Sequence, residues 1–335
     1  MTYEVNRRDV LKTLGSVAAG MALSRAGFAV PSISPGSKPF RGLFPIGSTP
    51  FTEADKLDLD CLSNEVKFCN RASVPGFIWP QIASGWSTMS ASERFAGAEA
   101  ILAAGKGGKT ALVIGVQTEN NDTPGAIAFA QHAAKNGADA ICSLPPKGDD
   151  AALLSYYKAI GNATELPLFV QAIDNVSVDL LVEMFHAIPT MRVVKDEAGD
   201  PLKRVTEIRK RTDDKINIFA GKGIRPLIEE LQLGFAGFCP TVGFADIYQQ
   251  VYELYQAGKP REAFDMYGRI LAFQSFSHAD QYLMVARGIF KENTKSRHMP
   301  GMGDPARKPD PPLTESEKKA VLKALDTYLK PYLRG

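Results

Sequence analysis

Met191-Arg192-Val193-Val194-Lys195-Asp196-Glu197-Ala198-Gly199-Asp200 sets a short apolar, β-branched run against an acidic turn that contains glycine. A run of this kind predicts a buried strand arriving at its C-terminal edge. Lys195 then sits where the strand delivers its last side chain. In a barrel of parallel strands that edge is the face where chemistry is done. Burial among valine and methionine disfavours the ammonium form and lowers the amine's pKa toward the range in which it attacks a carbonyl. The decapeptide alone is also compatible with a lysine that simply extends into solvent, as most lysines do.

Working outward, similar runs recur at Arg41 to Ile46, Val74 to Trp79, Thr110 to Val116, Ala138 to Ser143, Pro167 to Val170, Ile216 to Ala220 and Phe235 to Cys239. Each is followed by a stretch with helical spacing, such as Leu59-Leu62-Val66 or Ala126-Phe129-Ala130-Ala133. Eight strand-then-helix units in one chain predict an α/β fold of the closed (β/α)8 type over residues 40–245. The first strand-to-helix turn lacks a G-x-G-x-x-G pattern, so nothing points to a dinucleotide. Past Asp246 the strand signals stop. Ile247 to Tyr255, Glu262 to Phe276, Asp280 to Phe290 and Glu315 to Tyr332 read as helices, which gives a C-terminal helical appendage over 246–335 with a proline-rich linker at Pro300 to Pro312.

Composition bounds the function. The chain has 335 residues, 44% hydrophobic and 23% charged, enough for a large core. Its formal net charge of +2 arises within residues 1–29, where Arg7, Arg8, Lys12 and Arg25 outnumber Glu4 and Asp9; the remainder is balanced. A neutral body gives no electrostatic case for nucleic acid or an anionic membrane surface. Cys61, Cys69, Cys142 and Cys239 show no C-x-x-C spacing and read as structural thiols. His132, His186, His278 and His298 show no pairing, so no metal is expected.

Asn6-Arg7-Arg8-Asp9-Val10-Leu11-Lys12 places a twin-arginine pair ahead of Thr13 to Ala29, a mildly apolar run too short to span a membrane stably. It ends in Gly27-Phe28-Ala29, small residues at the positions a signal peptidase reads. Residues 1–29 resemble a Tat-type signal, which predicts a periplasmic or other extracytoplasmic address, and 30–39 read as a linker.

The order of features is similar to the dihydrodipicolinate synthase and N-acetylneuraminate lyase family from Phe40 to the C-terminus. The likeness rests on Gly47-Ser48-Thr49-Pro50-Phe51, Ser90-Ala91-Ser92-Glu93-Arg94, Gly137-Ala138-Asp139, Val194-Lys195-Asp196, Phe219-Ala220-Gly221, Gly234-Phe235-Ala236-Gly237-Phe238 and Arg287-Gly288-Ile289-Phe290. The resemblance implies a class I aldolase on a TIM barrel, with Lys195 as the imine-forming residue. It implies a 2-oxo acid such as pyruvate and an aldehyde as small-molecule partners, no organic cofactor, and a homo-oligomer, tetramer or dimer. Thr49, Ala83, Ser84, Gly221 and Phe238 fall at its substrate-binding positions.

Three stretches depart from the family pattern. Where the family carries G-T-T-G-E to hold the substrate carboxylate, this chain has Gln81-Ile82-Ala83-Ser84-Gly85. Ungapped alignment puts Ile82 and Ala83 at the two threonines, and one extra residue puts Ser84 at the second. Either way a hydroxyl is lost, worth about 1.5–3 kcal/mol against a charged carboxylate, although the amides of Ala83, Ser84 and Gly85 offer a cradle for an anion. Where the family relays protons through P-Y-Y, the chain has Leu144-Pro145-Pro146-Lys147-Gly148, which makes Lys147 a second catalytic candidate, or else a solvent-facing residue. Gln171-Ala172 replaces the usual Y-N. Asp196 and Glu197 are expected to hold a water or substrate hydroxyl, or to cap the next helix. Tyr156 and Tyr157, Lys222, Trp79 and Trp86 are further candidates whose simpler readings are packing or solvent exposure. These departures argue against lysine biosynthesis and favour another 2-oxo acid; the rival reading is a non-catalytic barrel that binds a small carboxylate.

Overall fold

The computed structural model describes residues 38–335 apart from 174, 175, 224, 277 and 298–311. Residues 1–29, where the sequence predicts a signal segment, most of the expected linker 30–39, His298 and nearly all of the proline-rich linker lie outside the described residues. Eight parallel strands follow one another: β1 Gly42–Leu43, β2 Gly76–Trp79, β3 Ala111–Gly115, β4 Ala140–Ser143, β5 Leu168–Ala172, β6 Met191–Asp196, β7 Asn217–Ala220 and β8 Gly237–Phe238. Each pairs with its neighbours in chain order, β8 returns to β1, and Ile46 bridges to Ile78 of β2, so the sheet closes on itself. This is the (β/α)8 barrel that the strand periodicity predicts.

Two buried layers result. Phe44, Ile78, Val113, Cys142, Phe169, Val193 and Phe219 fill the barrel interior. Its floor is aromatic: the rings of Phe44 and Phe219 meet edge-to-face at 5.0 Å, and Phe169 stands 5.6 Å from Phe219. Alternate strand residues, including Leu112, Ile141, Val170, Val194 and Ile218, face the surrounding helices. Those helices start where the sequence supplies caps. Asp58 accepts from the Cys61 amide, and Ser90 and Glu93 form a reciprocal capping box.

The strand ends differ from expectation at informative places. β5 and β6 each run two residues further, to Ala172 and Asp196, so Gln171 and Lys195 lie inside the ladder as direct partners rather than just past it. β1 is shorter than Arg41 to Ile46. Pro45 lacks an amide proton and interrupts the ladder, which resumes as isolated bridges at Ile46, while the Pro45 carbonyl still accepts from Ile78.

The appendage begins with helix α1, Ala245–Gln256, followed by α2, Pro260–Gln274, α3, Ala279–Ala286, and α4, Glu315–Ala324. The continuous helix expected to Tyr332 instead loosens into a π-turn over Leu325–Leu329 and a 3₁₀ turn over Lys330–Tyr332, where Pro331 removes a donor. Asp246 of α1 and Arg287 just after α3 close a buried two-pronged ion pair at 2.6 and 2.7 Å, and the Arg334 amide donates to the same carboxylate at 2.8 Å. The barrel and these helices form one compact unit.

Candidate active site

A strand turns one side chain in two toward the barrel axis, so the residues two steps past the floor of Phe169, Val193 and Phe219 form the next layer up. They are Gln171, Lys195 and Gly221. Lys195 is 4% exposed. Its Nζ lies 3.2 Å from Glu197 Oε1, and Gln171 Nε2 donates to the other oxygen of that carboxylate. Gly221 leaves the space both groups occupy: a Cβ there would stand 2.5 Å from Lys195 Cε and 2.4 Å from Glu197 Oε1. The thiols of Cys142 and Cys239 complete the surroundings, each pushed up to about 12 by burial and therefore neutral at pH 7.

The lowered lysine pKa expected from the sequence is not what these neighbours produce. Burial is the strongest single influence and favours the neutral amine, but attraction to the facing Glu197 carboxylate, together with the smaller effects of the Cys239 and Cys142 sulfurs and of the hydrogen bond to Glu197, carries the Lys195 pKa upward. With both thiols neutral, Glu197 supplies the only nearby negative charge among the described residues. Lys195 therefore rests as an ammonium ion held by one carboxylate.

The other sequence candidates divide. Thr49, Ala83 and Ser84 line a separate cavity of about 320 Å³ shared with the turn after β2 and with Asp280 and Arg297. Their polar groups are largely committed there. The Thr49 hydroxyl donates to the Ser84 carbonyl at 2.5 Å and accepts from Trp79 Nε1 at 3.1 Å; the Ser84 hydroxyl donates to the Gly47 carbonyl at 2.6 Å. The amides of Ser84 and Gly85 donate within their own 3₁₀ turn, to Gln81 and Ile82, which corrects the expected three-amide cradle. Phe238 is also corrected. It faces away from the axis against Tyr252 of α1, at 6.2 Å between rings, and strand alternation brings Cys239 inward instead.

Lys147 is exposed, and its backbone is tied to Asn121 through both amide and carbonyl, at 2.8 and 2.7 Å. It edges a cavity of about 420 Å³ at the C-terminal ends of β3 to β5, with Trp86, Gln117, Leu144, Tyr156 and Ile173. Of its two readings, catalytic candidate or solvent-facing residue, the exposed side chain matches the second. Tyr156 bonds to Ser143 Oγ at 2.7 Å and Tyr157 to the Ser143 carbonyl at 3.0 Å, so both hydroxyls anchor their helix to β4. Lys222 is exposed and donates to the Gly199 carbonyl. Asp196 turns outward to Arg204 at 3.0 Å. Glu197 is the residue the sequence under-reads, and the only signal for it is strand parity counted from Lys195.

The residues above define a parallel (β/α)8 barrel with an ion-paired lysine at its C-terminal mouth, the face on which TIM-barrel proteins carry their sites. The chain belongs to the dihydrodipicolinate synthetase family, whose model matches residues 39–328. It is 28% identical over 192 residues to the 4-hydroxy-tetrahydrodipicolinate synthase of Methanosarcina mazei, a match that covers 55% of this chain and 64% of that protein. It is 23% identical over 300 residues to the L-2-keto-3-deoxyarabonate dehydratase of Azospirillum brasilense, covering 85% of this chain and 94% of that one. The fold superposes on N-acetylneuraminate lyase from Mycoplasma synoviae with a TM-score of 0.71 at 19% identity, over 87% of this chain and 98% of that structure. The relatives in this family are lyases of small molecules. Among the described residues no helix is long and apolar enough to cross a membrane.

Proposed function

We propose that this protein is a lyase in which Lys195 condenses with the keto carbon of a 2-oxo acid. The resulting imine withdraws electrons from the neighbouring carbon, which then loses a proton, breaks or forms a carbon–carbon bond, or expels water. The observation that carries the reading is Lys195 itself, buried at the C-terminal mouth of the barrel and held by a single carboxylate. Pyruvate or a larger 2-oxo acid fits the reading, and the altered carboxylate clamp favours a substrate other than that of lysine biosynthesis. The name of the Azospirillum brasilense relative, a dehydratase of a 2-keto-3-deoxy sugar acid, supports including such acids.

The test is hydride trapping. Purified protein is incubated with pyruvate and a panel of longer 2-oxo acids, reduced with borohydride, and analysed by intact and peptide mass. A mass gain on the Lys195 peptide, absent in Lys195→Ala, is the expected result. Binding of the same acids without any trapped adduct turns the assignment toward a carboxylate-binding barrel. The same proposal includes an extracytoplasmic address, supported by the twin-arginine segment, and a homo-oligomer, supported by the family resemblance. Cell fractionation and light scattering test these two directly.

A further inference from the structure

Glu197 follows β6 but continues its ladder, because its amide donates to the Ala172 carbonyl at 2.8 Å. Continued alternation turns Asp196 out to Arg204 and Glu197 in to the barrel mouth. Both carboxylate oxygens are fixed there, Oε1 on the Lys195 amine and Oε2 on the Gln171 amide. The side chains of the pair are 5% and 16% exposed, so bulk water is a poor proton carrier for them. The groups facing Lys195 from the packed strands are the Cys142 and Cys239 thiols, Gln171, Glu197 and the bare backbone of Gly221. Glu197 is the one carboxylate among them, and its Oε1 stands 3.2 Å from the amine. The hydroxyls of Tyr156 and Tyr157 are bound to Ser143, and Lys147 stands exposed on its loop.

We propose that Glu197 is the catalytic acid–base residue that carries protons during imine formation at Lys195, which rests on the reading of Lys195 as the imine-forming residue. The Lys195 ammonium passes one proton to the Glu197 carboxylate. The free amine attacks the keto carbon, a C–N bond forms, and the carbonyl π pair moves to oxygen, which takes the proton held by Glu197. The nitrogen of this adduct is now cationic and returns a second proton to Glu197. Glu197 delivers that proton to the new hydroxyl, which leaves as water while the nitrogen lone pair closes the C=N bond. The ammonium has lost two hydrogens, water has gained them, and Glu197 is again a carboxylate. At 3.2 Å it is already within hydrogen-bond reach of the nitrogen.

The experiment compares wild type with Glu197→Gln in two reactions of Lys195. In hydride trapping with the 2-oxo acid panel, the variant is expected to form adduct on the order of 10²-fold more slowly. In carbamylation by cyanate, which needs only the free amine, Lys195 in the variant is expected to react several-fold faster at pH 7, with its rate–pH curve moved to lower pH. A structural role for Glu197 predicts that both rates fall together, and that result overturns the proposal. Wild-type trapping rates in Glu197→Gln also overturn it, while leaving the imine intact. A wild-type protein that traps no acid fails at the imine itself and takes the role of Glu197 with it. If Glu197→Gln does not fold, Glu197→Asp takes its place; a slowed adduct rate with a displaced pH profile supports the proposal, and an unchanged profile overturns it.

Discussion

Gly221 lies so close to Lys195 that a methyl group on its Cα would stand 2.5 Å from Lys195 Cε. The same methyl would stand 2.4 Å from Glu197 Oε1, so one hydrogen atom's worth of space holds the pair in register. Gly221→Ala is expected to push the amine off its line of attack. A misplacement of about 1 Å costs roughly 10²-fold in rate, whereas overpacking costs about 1–3 kcal/mol of stability. Trapping rate and thermal midpoint measured together separate the two effects. Loss of stability with an unchanged trapping rate would refute this placement of Lys195.

Thr49 joins the turn after β1 to the turn after β2 through one hydroxyl that both donates and accepts. Thr49→Val keeps the shape but strands the Trp79 indole N–H in a buried site. An unsatisfied buried donor costs about 1–3 kcal/mol, so chemical denaturation is expected to show a loss of that size. A neutral result would mean that water or another acceptor reaches Trp79.

Glu230 is buried, and burial raises its pKa from 4.5 to about 8, with Glu229 adding to the shift. Because the folded state holds this proton more tightly than the unfolded chain, its contribution is fully present below pH 4.5 and is lost as pH rises toward 8. Glu230→Gln is expected to flatten that decline. The difference from wild type should reach on the order of 3 kcal/mol by pH 7. Parallel stability–pH curves for the two proteins would contradict a buried, protonated Glu230.

Asp246 and Arg287 are both sealed from solvent, with side chains 0% and 1% exposed. Asp246→Ala leaves the guanidinium buried without its counter-charge and is expected to cost about 3–5 kcal/mol. Replacing both residues with apolar ones, Asp246→Leu with Arg287→Met, is expected to cost less than the single change. Equilibrium unfolding of the single and double variants is the check; equal losses would mean that the charge itself is not what matters.

How far the sequence could be read follows from these local rules. The barrel was legible because buried parallel strands are short apolar runs whose ends are punctuated by turns, and eight such runs leave few alternatives. Lys195 was legible as the charged end of one of them. Glu197 was not, because adjacent acids after a strand usually cap a helix, and here the cap position falls at Asp200. Only the parity of β6, extended by the Ala172 carbonyl, sends one acid in and the other out. Phe238 was misread for the same reason: β8 has two residues, too few for a sequence pattern to declare which faces the axis. Lys147 and Ser84 depended on loop conformation, which their local sequence does not fix.

The short seam between β1 and β8 bears on where the molecule can be divided. These strands share two paired positions through the Gly42 and Phe44 amides, while the Leu43 amide between them faces the other way, toward β2, and obtains its partner from Gln249 Oε1 of α1 at 3.1 Å. The helical appendage thus completes the hydrogen bonding of the first strand. A protein truncated at residue 245, where the sequence suggests a domain border, would expose an unfinished sheet edge at its closure point and would be prone to self-association. Expression of the barrel from this chain therefore calls for the helices that follow it.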